Sequence, residues 1–176
     1  MFLLAPPAAA PAPALPVAPA YAAPYLGRVL ERLMAARHSL ELQCADASLG
    51  HFIPSVRVLP GFRTLHRENY EVSYHLVTAV GSLRRLLAGE WHPGFLALVV
   101  ACQEAAARHQ ARAAEAWGRM TAAAPRDPSV RGLLERLGGL IETTAGHIAA
   151  ARGITESLLG AATVQSLTAW VRQVQR

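Results

Sequence analysis

Leu65-His66-Arg67-Glu68-Asn69-Tyr70-Glu71-Val72-Ser73-Tyr74-His75-Leu76, continued by Val80, Leu83 and Leu87, is the stretch on which the fold turns. Every step from Leu65 through Asn69, Val72, Leu76, Val80 and Leu83 to Leu87 is three or four residues. That recurrence keeps side chains on one face of a coil with 3.6 residues per turn, whereas a strand exposing one face needs alternation at two. The spacing predicts a helix from about Thr64 to Ala88, with Thr64 as its cap and Gly89 as its end.

The same period extends in both directions. Toward the N-terminus, Leu26, Val29, Leu30, Leu33, Leu40 and Cys44 form one stripe with Met34 at its edge, which predicts a helix from about Pro24 to Ala45. Arg37 interrupts that stripe and has Glu41 four residues on as a partner. Between these helices, Pro54 and Pro60 break His51–Phe62 into a covering loop, with Val56-Arg57-Val58 as the one conceivable short strand. Toward the C-terminus, Leu96, Val99, Gln103, Ala106, Gln110, Ala113, Trp117 and Met120 are in phase, predicting a helix from Phe95 to about Ala122. Glu104/Arg108 and Glu115/Arg119 are its i,i+4 charge pairs.

Pro125-Arg126-Asp127-Pro128 stops that helix, and Asp127 caps the next with Pro128 at its first position. Val130, Leu133, Leu134, Leu137, Ile141 and Ile148 are its buried stripe. Gly138-Gly139 inside it marks a kink or a close helix crossing. Gly153 ends it, with Ile154-Thr155 as staple and cap of a last helix carrying Val164, Leu167, Val171 and Val174. The expected fold is therefore all-α: an antiparallel bundle of about five amphipathic helices over residues 24–176. Residues 1–23, almost all Ala and Pro and without a charged side chain, are expected to be a disordered arm.

Bulk composition narrows the function. At 176 residues there is room for one domain, long enough to stand without metal or disulfide. Cys44 and Cys102 belong to no zinc-ligand spacing, and they read as separate buried thiols; a disulfide between them requires an oxidising compartment. All 17 basic residues are arginines, and the net charge of +5 is scattered along the chain rather than concentrated, which argues against nucleic acid as the partner. The Met1-Phe2-Leu3-Leu4 start lacks the basic flank of a secretion signal, and Phe95–Cys102 is far shorter than a membrane span, so a soluble intracellular protein is expected.

Chemistry concentrates in the stretch quoted first. Wound as a helix, Arg67, Glu71 and His75 lie on one stripe, and His66, Tyr70 and Tyr74 on the adjacent one. Glu71 is placed to orient His75, a carboxylate–imidazole arrangement used in metal binding and proton transfer; the bland alternative has Glu71 bridging Arg67 and His75 on a solvated face. His109 shares a face with Phe95, Leu98, Cys102, Ala105 and Ala116, where a histidine is more often a satisfied inner residue than a ligand. No cofactor and no metal ligand set is expected on the leading reading; should the chain bind one, His66, Glu71, His75 and His109 are the candidates, with haem or a metal as the alternative.

Trp91, Trp117 and Trp170 are candidates for anchoring either the core or a partner. The polar intruders Asn69, Gln103 and Gln110 predict an Asn69–Gln103 or Asn69–Gln110 hydrogen bond that sets helix register. No phosphate loop, HExxH, nucleophile elbow or Glu-x-x-His pair occurs. The leading expectation is a non-enzymatic protein–protein interaction or assembly module, self-associating or bound to a larger partner. A cofactor- or small-ligand-binding bundle (haem or metal), with enzymatic activity open and its polar site on the second helix, is the alternative, and an arginine-based phosphate or nucleic-acid binder is the third.

Overall fold

The computed structural model describes residues 18–174. Its order is α1 (Pro19–Leu49), a 3-10 turn (Gly50–Phe52), one-turn α2 (Pro54–Arg57), α3 (Phe62–Leu87), α4 (Pro93–Ala123), α5 (Pro128–Leu159) and α6 (Ala161–Val174). Helix α1 packs against α3 and α5, and α4 packs against the same two, so the four long helices stand at the corners of a square. Short links make consecutive members antiparallel, and α6 lies across α4 and α5. This is the all-α bundle the periodicity demands.

The buried stripes match the three-and-four seams closely. Leu26, Val29, Leu33 and Leu40 of α1, Leu65, Val72, Leu76, Val80 and Leu83 of α3, and Val130, Leu133, Leu134, Leu137, Ile141 and Ile148 of α5 are all buried. Each buried leucine or isoleucine contributes about 1.5–3 kcal/mol, which outweighs weak local propensity along the chain. Arg37 donates to Glu41 at 3.0 Å, as its spacing predicts. Asp127 accepts from the Ser129 N–H at 2.8 Å and caps α5, with Pro128 next.

Element ends depart from expectation where burial overrides a breaker. Helix α1 begins at Pro19 rather than Pro24, because proline is tolerated at a first turn whose N–H has no partner, and Ala22 and Leu26 are buried beyond it. Residues 19–23 of the expected arm are thus helical, while residues 1–17 lie outside the described residues. The conceivable strand over Val56–Val58 is instead the end of α2. Thr64 does not cap α3; Gly61 does, at φ 102°, where a Cβ would run into the Ala116 carbonyl of α4. At the far end of α3 the seam departs from expectation: Leu86 is buried and Leu87 is exposed.

Gly153 does not end α5. The helix continues to Leu159 and stops at Gly160, because a mid-helix glycine costs about 1 kcal/mol, less than burying Leu158 and Leu159 returns. Thr155 is accordingly a buried mid-helix residue rather than a cap. Glu104 takes Arg152 of α5 in a two-nitrogen grip at 2.6 and 3.0 Å instead of Arg108, since a forked charge-assisted pair is stronger than a flank contact on one helix. Glu115 and Arg119 form no ion pair with each other among the described residues. In α6, Leu167 and Val171 are buried, and the Val174 side chain lies outside the description.

Two apolar clusters fill the interior, one at each end of the bundle. Between them the four long helices contribute amides and hydroxyls at one level. Gln43 of α1 donates to Asn69 Oδ1 at 2.6 Å, and Gln110 of α4 donates to Gln43 Oε1 at 3.2 Å and to the Ile141 carbonyl of α5 at 2.9 Å. Thr144 donates to Ser39 at 3.0 Å in the same layer. Asn69 therefore pairs with Gln43 rather than with Gln103 or Gln110, and Gln103 donates instead to Thr155 at 3.1 Å. The seam residue Gln43 was not visible as a partner from α3 and α4 alone.

The tryptophans face inward in part. Trp91 and Trp170 are half-buried against the first cluster and Trp117 against the second. Trp117 donates its indole N–H to the Leu134 carbonyl of α5 at 2.7 Å, and its ring lies over Gly138. The glycine pair thus marks a close crossing, at Gly138 alone: a Cβ at Gly139 would meet nothing within 4 Å. Cys44 and Cys102 are free thiols on α1 and α4.

Candidate metal centre

Helix α3 presents Glu71 and His75 one turn apart, and α4 brings His109 up to them. One ligand atom from each of the three lies within 4.8 Å of those of the other two, and all three side chains are half-buried. Tetrahedral bonds of about 2.1 Å set ligand atoms about 3.4 Å apart, so rotamer adjustments of about an ångström close the group on an ion. The His75 and His109 rings stack with centroids 5.6 Å apart and an interplanar angle of 22°.

Behind His109 stands Glu68, 1% exposed. Its Oε2 lies 2.7 Å from His109 Nδ1, and its Oε1 accepts from Arg67 Nη2, also at 2.7 Å. Burial pushes the Glu68 carboxyl up, but the hydrogen bonds from His109 and Arg67 and their charges more than offset this, so it sits below the usual carboxylate value. An ionised carboxylate only accepts, so His109 Nδ1 carries the proton. In the neutral ring the lone pair is then on Nε2. A carboxylate that sets the tautomer of a histidine in this way is the usual outer support of a metal-bound imidazole.

His75 is prepared differently. Burial, then the charges of His109 and Arg108, lower its proton affinity, with Glu71 opposing. A neutral ring with an available lone pair results. Its Nδ1 is buried and has no hydrogen-bond partner among the described residues. A buried imidazole nitrogen left unpaired costs free energy unless something else occupies it.

The candidates divide by position. Glu71, His75 and His109 come together; His66 does not join them. It is nine residues from His75, which at 100° per residue turns it to the opposite side of α3. There its ring packs on His51 and Phe62 at centroid distances of 4.6 and 4.7 Å. Burial and the charge of His51 lower the His66 proton affinity, against a hydrogen bond with the Ala47 backbone. Tyr70 and Tyr74 are exposed. Glu68 was missed because a glutamate beside an arginine reads as solvated. The signal was present: Glu68 lies three residues after Leu65 and four before Val72, inside the buried arc.

A cavity of about 200 Å³ opens beside His75 and His109, bounded by α3, α4 and α6. It is smaller than the roughly 300 Å³ at which drug-sized sites begin, too small to enclose a porphyrin. Arg37, Arg67, Arg85, Arg136 and Arg152 are each paired with a carboxylate. Among the described residues, no helix is long and apolar enough to cross a membrane. No protein-family model, curated protein or solved structure matches this chain, and the functional reading rests on side-chain geometry.

Proposed function

We propose that this bundle binds one divalent transition-metal ion through Glu71, His75 and His109. The observation that carries the reading is the convergence of these three groups from two helices, with Glu68 fixing the His109 tautomer at 2.7 Å. Two imidazoles and one carboxylate suit zinc, iron or cobalt, and three protein ligands leave coordination positions open to water or a small ligand. Calorimetric titration of the metal-free chain with Zn²⁺ tests it. One ion per chain is expected, with the affinity reduced at least about a hundredfold in His75→Ala and in His109→Ala, and about ten- to a hundredfold in Glu68→Gln. His66→Ala should bind as the parent chain does. Absence of stoichiometric uptake, or equal affinity in the His109 variant, refutes the assignment.

A second reading, self-association, is favoured by one feature. Tyr70, Tyr74 and Val77 follow one another at four and three residues on α3 and are 71%, 59% and 48% exposed. A contiguous apolar stripe of this kind is typical of an interface, and a second copy of the same helix is its simplest occupant. Light scattering across a dilution series should give a dimer that Tyr70→Glu/Tyr74→Glu converts to monomer. A parent chain that remains monomeric at high concentration removes this reading.

A further inference from the structure

We propose that the cavity beside the metal centre receives a small aliphatic carboxylate, its anionic end turned to the ion and its alkyl end to the far wall. This rests on the metal reading above and adds the class of ligand. The cavity, about 200 Å³, has His75, His109, Arg108 and Arg172 among its lining residues, and no acidic side chain is among its walls. Neither arginine is held by a carboxylate among the described residues.

The charge balance points to an anion. Glu71 offsets half of a divalent ion, and Glu68 is balanced by Arg67. The bound ion therefore keeps a net positive charge, to which Arg108 and Arg172 add theirs. An open position on such an ion, flanked by two guanidinium groups, favours a carboxylate over water or an amine. The remaining wall mixes Leu98, Ala101, Ala105 and Val171 with the Cys102 thiol and three hydroxyls; those of Thr78 and Thr168 already donate to the Tyr74 and Val164 carbonyls of their own helices, each at 2.9 Å, and Tyr74 is largely exposed. A short alkyl tail fits against the apolar members of this wall, whereas a sugar or a dicarboxylate would need more free donors than its engaged hydroxyls supply.

Butyrate is the probe, on the full chain loaded with Zn²⁺ and, for spectroscopy, with Co²⁺. Calorimetry should show saturable binding of one butyrate, about tenfold tighter than acetate from the two extra buried methylenes. Butylamine should not bind. Butyrate should also shift the visible bands of the Co²⁺ form, which report ligand exchange at the ion. Arg108→Gln/Arg172→Gln should keep full Zn²⁺ stoichiometry and weaken butyrate about ten- to a hundredfold.

Failure of butyrate to saturate a fully Zn²⁺-loaded chain overturns the cavity assignment and leaves the metal assignment standing. Failure of Zn²⁺ uptake overturns both. Equal binding of butyrate and butylamine, or undiminished butyrate binding in the double variant, also overturns it. Should the double variant not fold, the comparison of butyrate with butylamine on the parent chain decides alone.

Discussion

Replacing Gly138 and Gly139 by alanine, one at a time, separates packing from helix propensity at adjacent positions. Both lie in the interior of α5, where alanine is favoured over glycine by about 1 kcal/mol, and this term is common to the two. What a methyl group would meet differs. At Gly139 nothing lies within 4 Å, so the substitution should stabilise the chain by about 0.5–1 kcal/mol. At Gly138 the methyl would lie 2.6 Å from Cζ2 and 3.0 Å from Cε2 of Trp117. The ring is not free to retreat, because its N–H is held on the Leu134 carbonyl one turn earlier on the same helix.

Overpacking costs about 1–3 kcal/mol, and losing the indole hydrogen bond about 1 more. Net of propensity, Gly138→Ala should destabilise by about 1–3 kcal/mol, placing the two variants about 2–4 kcal/mol apart. Urea unfolding followed by far-ultraviolet circular dichroism reads this directly, with unchanged m-values as the control. In a chain of this size each kcal/mol moves Tm by about 2–4 °C. Coincident midpoints for the two variants would show that the indole yields freely, and would refute the close-crossing account of the glycine pair.

Two titrations follow from the interior groups. The Glu68 carboxyl releases its proton more readily folded than unfolded, so it contributes stability that is present above the ordinary carboxylate range and lost as pH falls through its folded value. The gap in urea midpoint between parent and Glu68→Gln should accordingly narrow between about pH 6 and about pH 3; a constant gap contradicts the ion-pair account. Burial raises the Cys102 thiol to about 11, so it should alkylate far more slowly than an exposed thiol near neutral pH. Because the folded chain holds that proton more tightly, its contribution to stability declines as pH rises from the ordinary 9.0 toward 11. Rapid stoichiometric labelling of Cys102 at neutral pH would show the site to be open.

What the sequence makes legible is the face each helix buries, because burial must recur with the helical period whatever the neighbours are. Leu65 to Leu83 and Val130 to Ile148 needed nothing else. Helix ends were less legible, since Pro24 and Gly153 act locally with about 1–3 kcal/mol, and cumulative burial of Ala22, Leu158 and Leu159 exceeds that. Pairing across helices was least legible. Periodicity places Asn69 in a seam but does not say that α1, carrying Gln43, stands beside it. The candidate site divided along the same line: the i,i+4 relation of Glu71 and His75 is written in one helix, whereas the arrival of His109 and the inward turn of Glu68 depend on how α4 lies against α3.

Sliding one helix along its neighbours by a turn would still match greasy residues with greasy residues almost everywhere. It would also strand an amide in oil, since Gln43, Asn69 and Gln110 find their partners only when the helices stand at one height. Axial slippage is therefore resisted by a notch rather than a gradient. Asn69 directly follows Glu68 in the chain, and Gln110 directly follows His109. The notch that stops the rods from creeping thus holds a carboxylate opposite an imidazole, and the precision of the outer site is borrowed from the inner one.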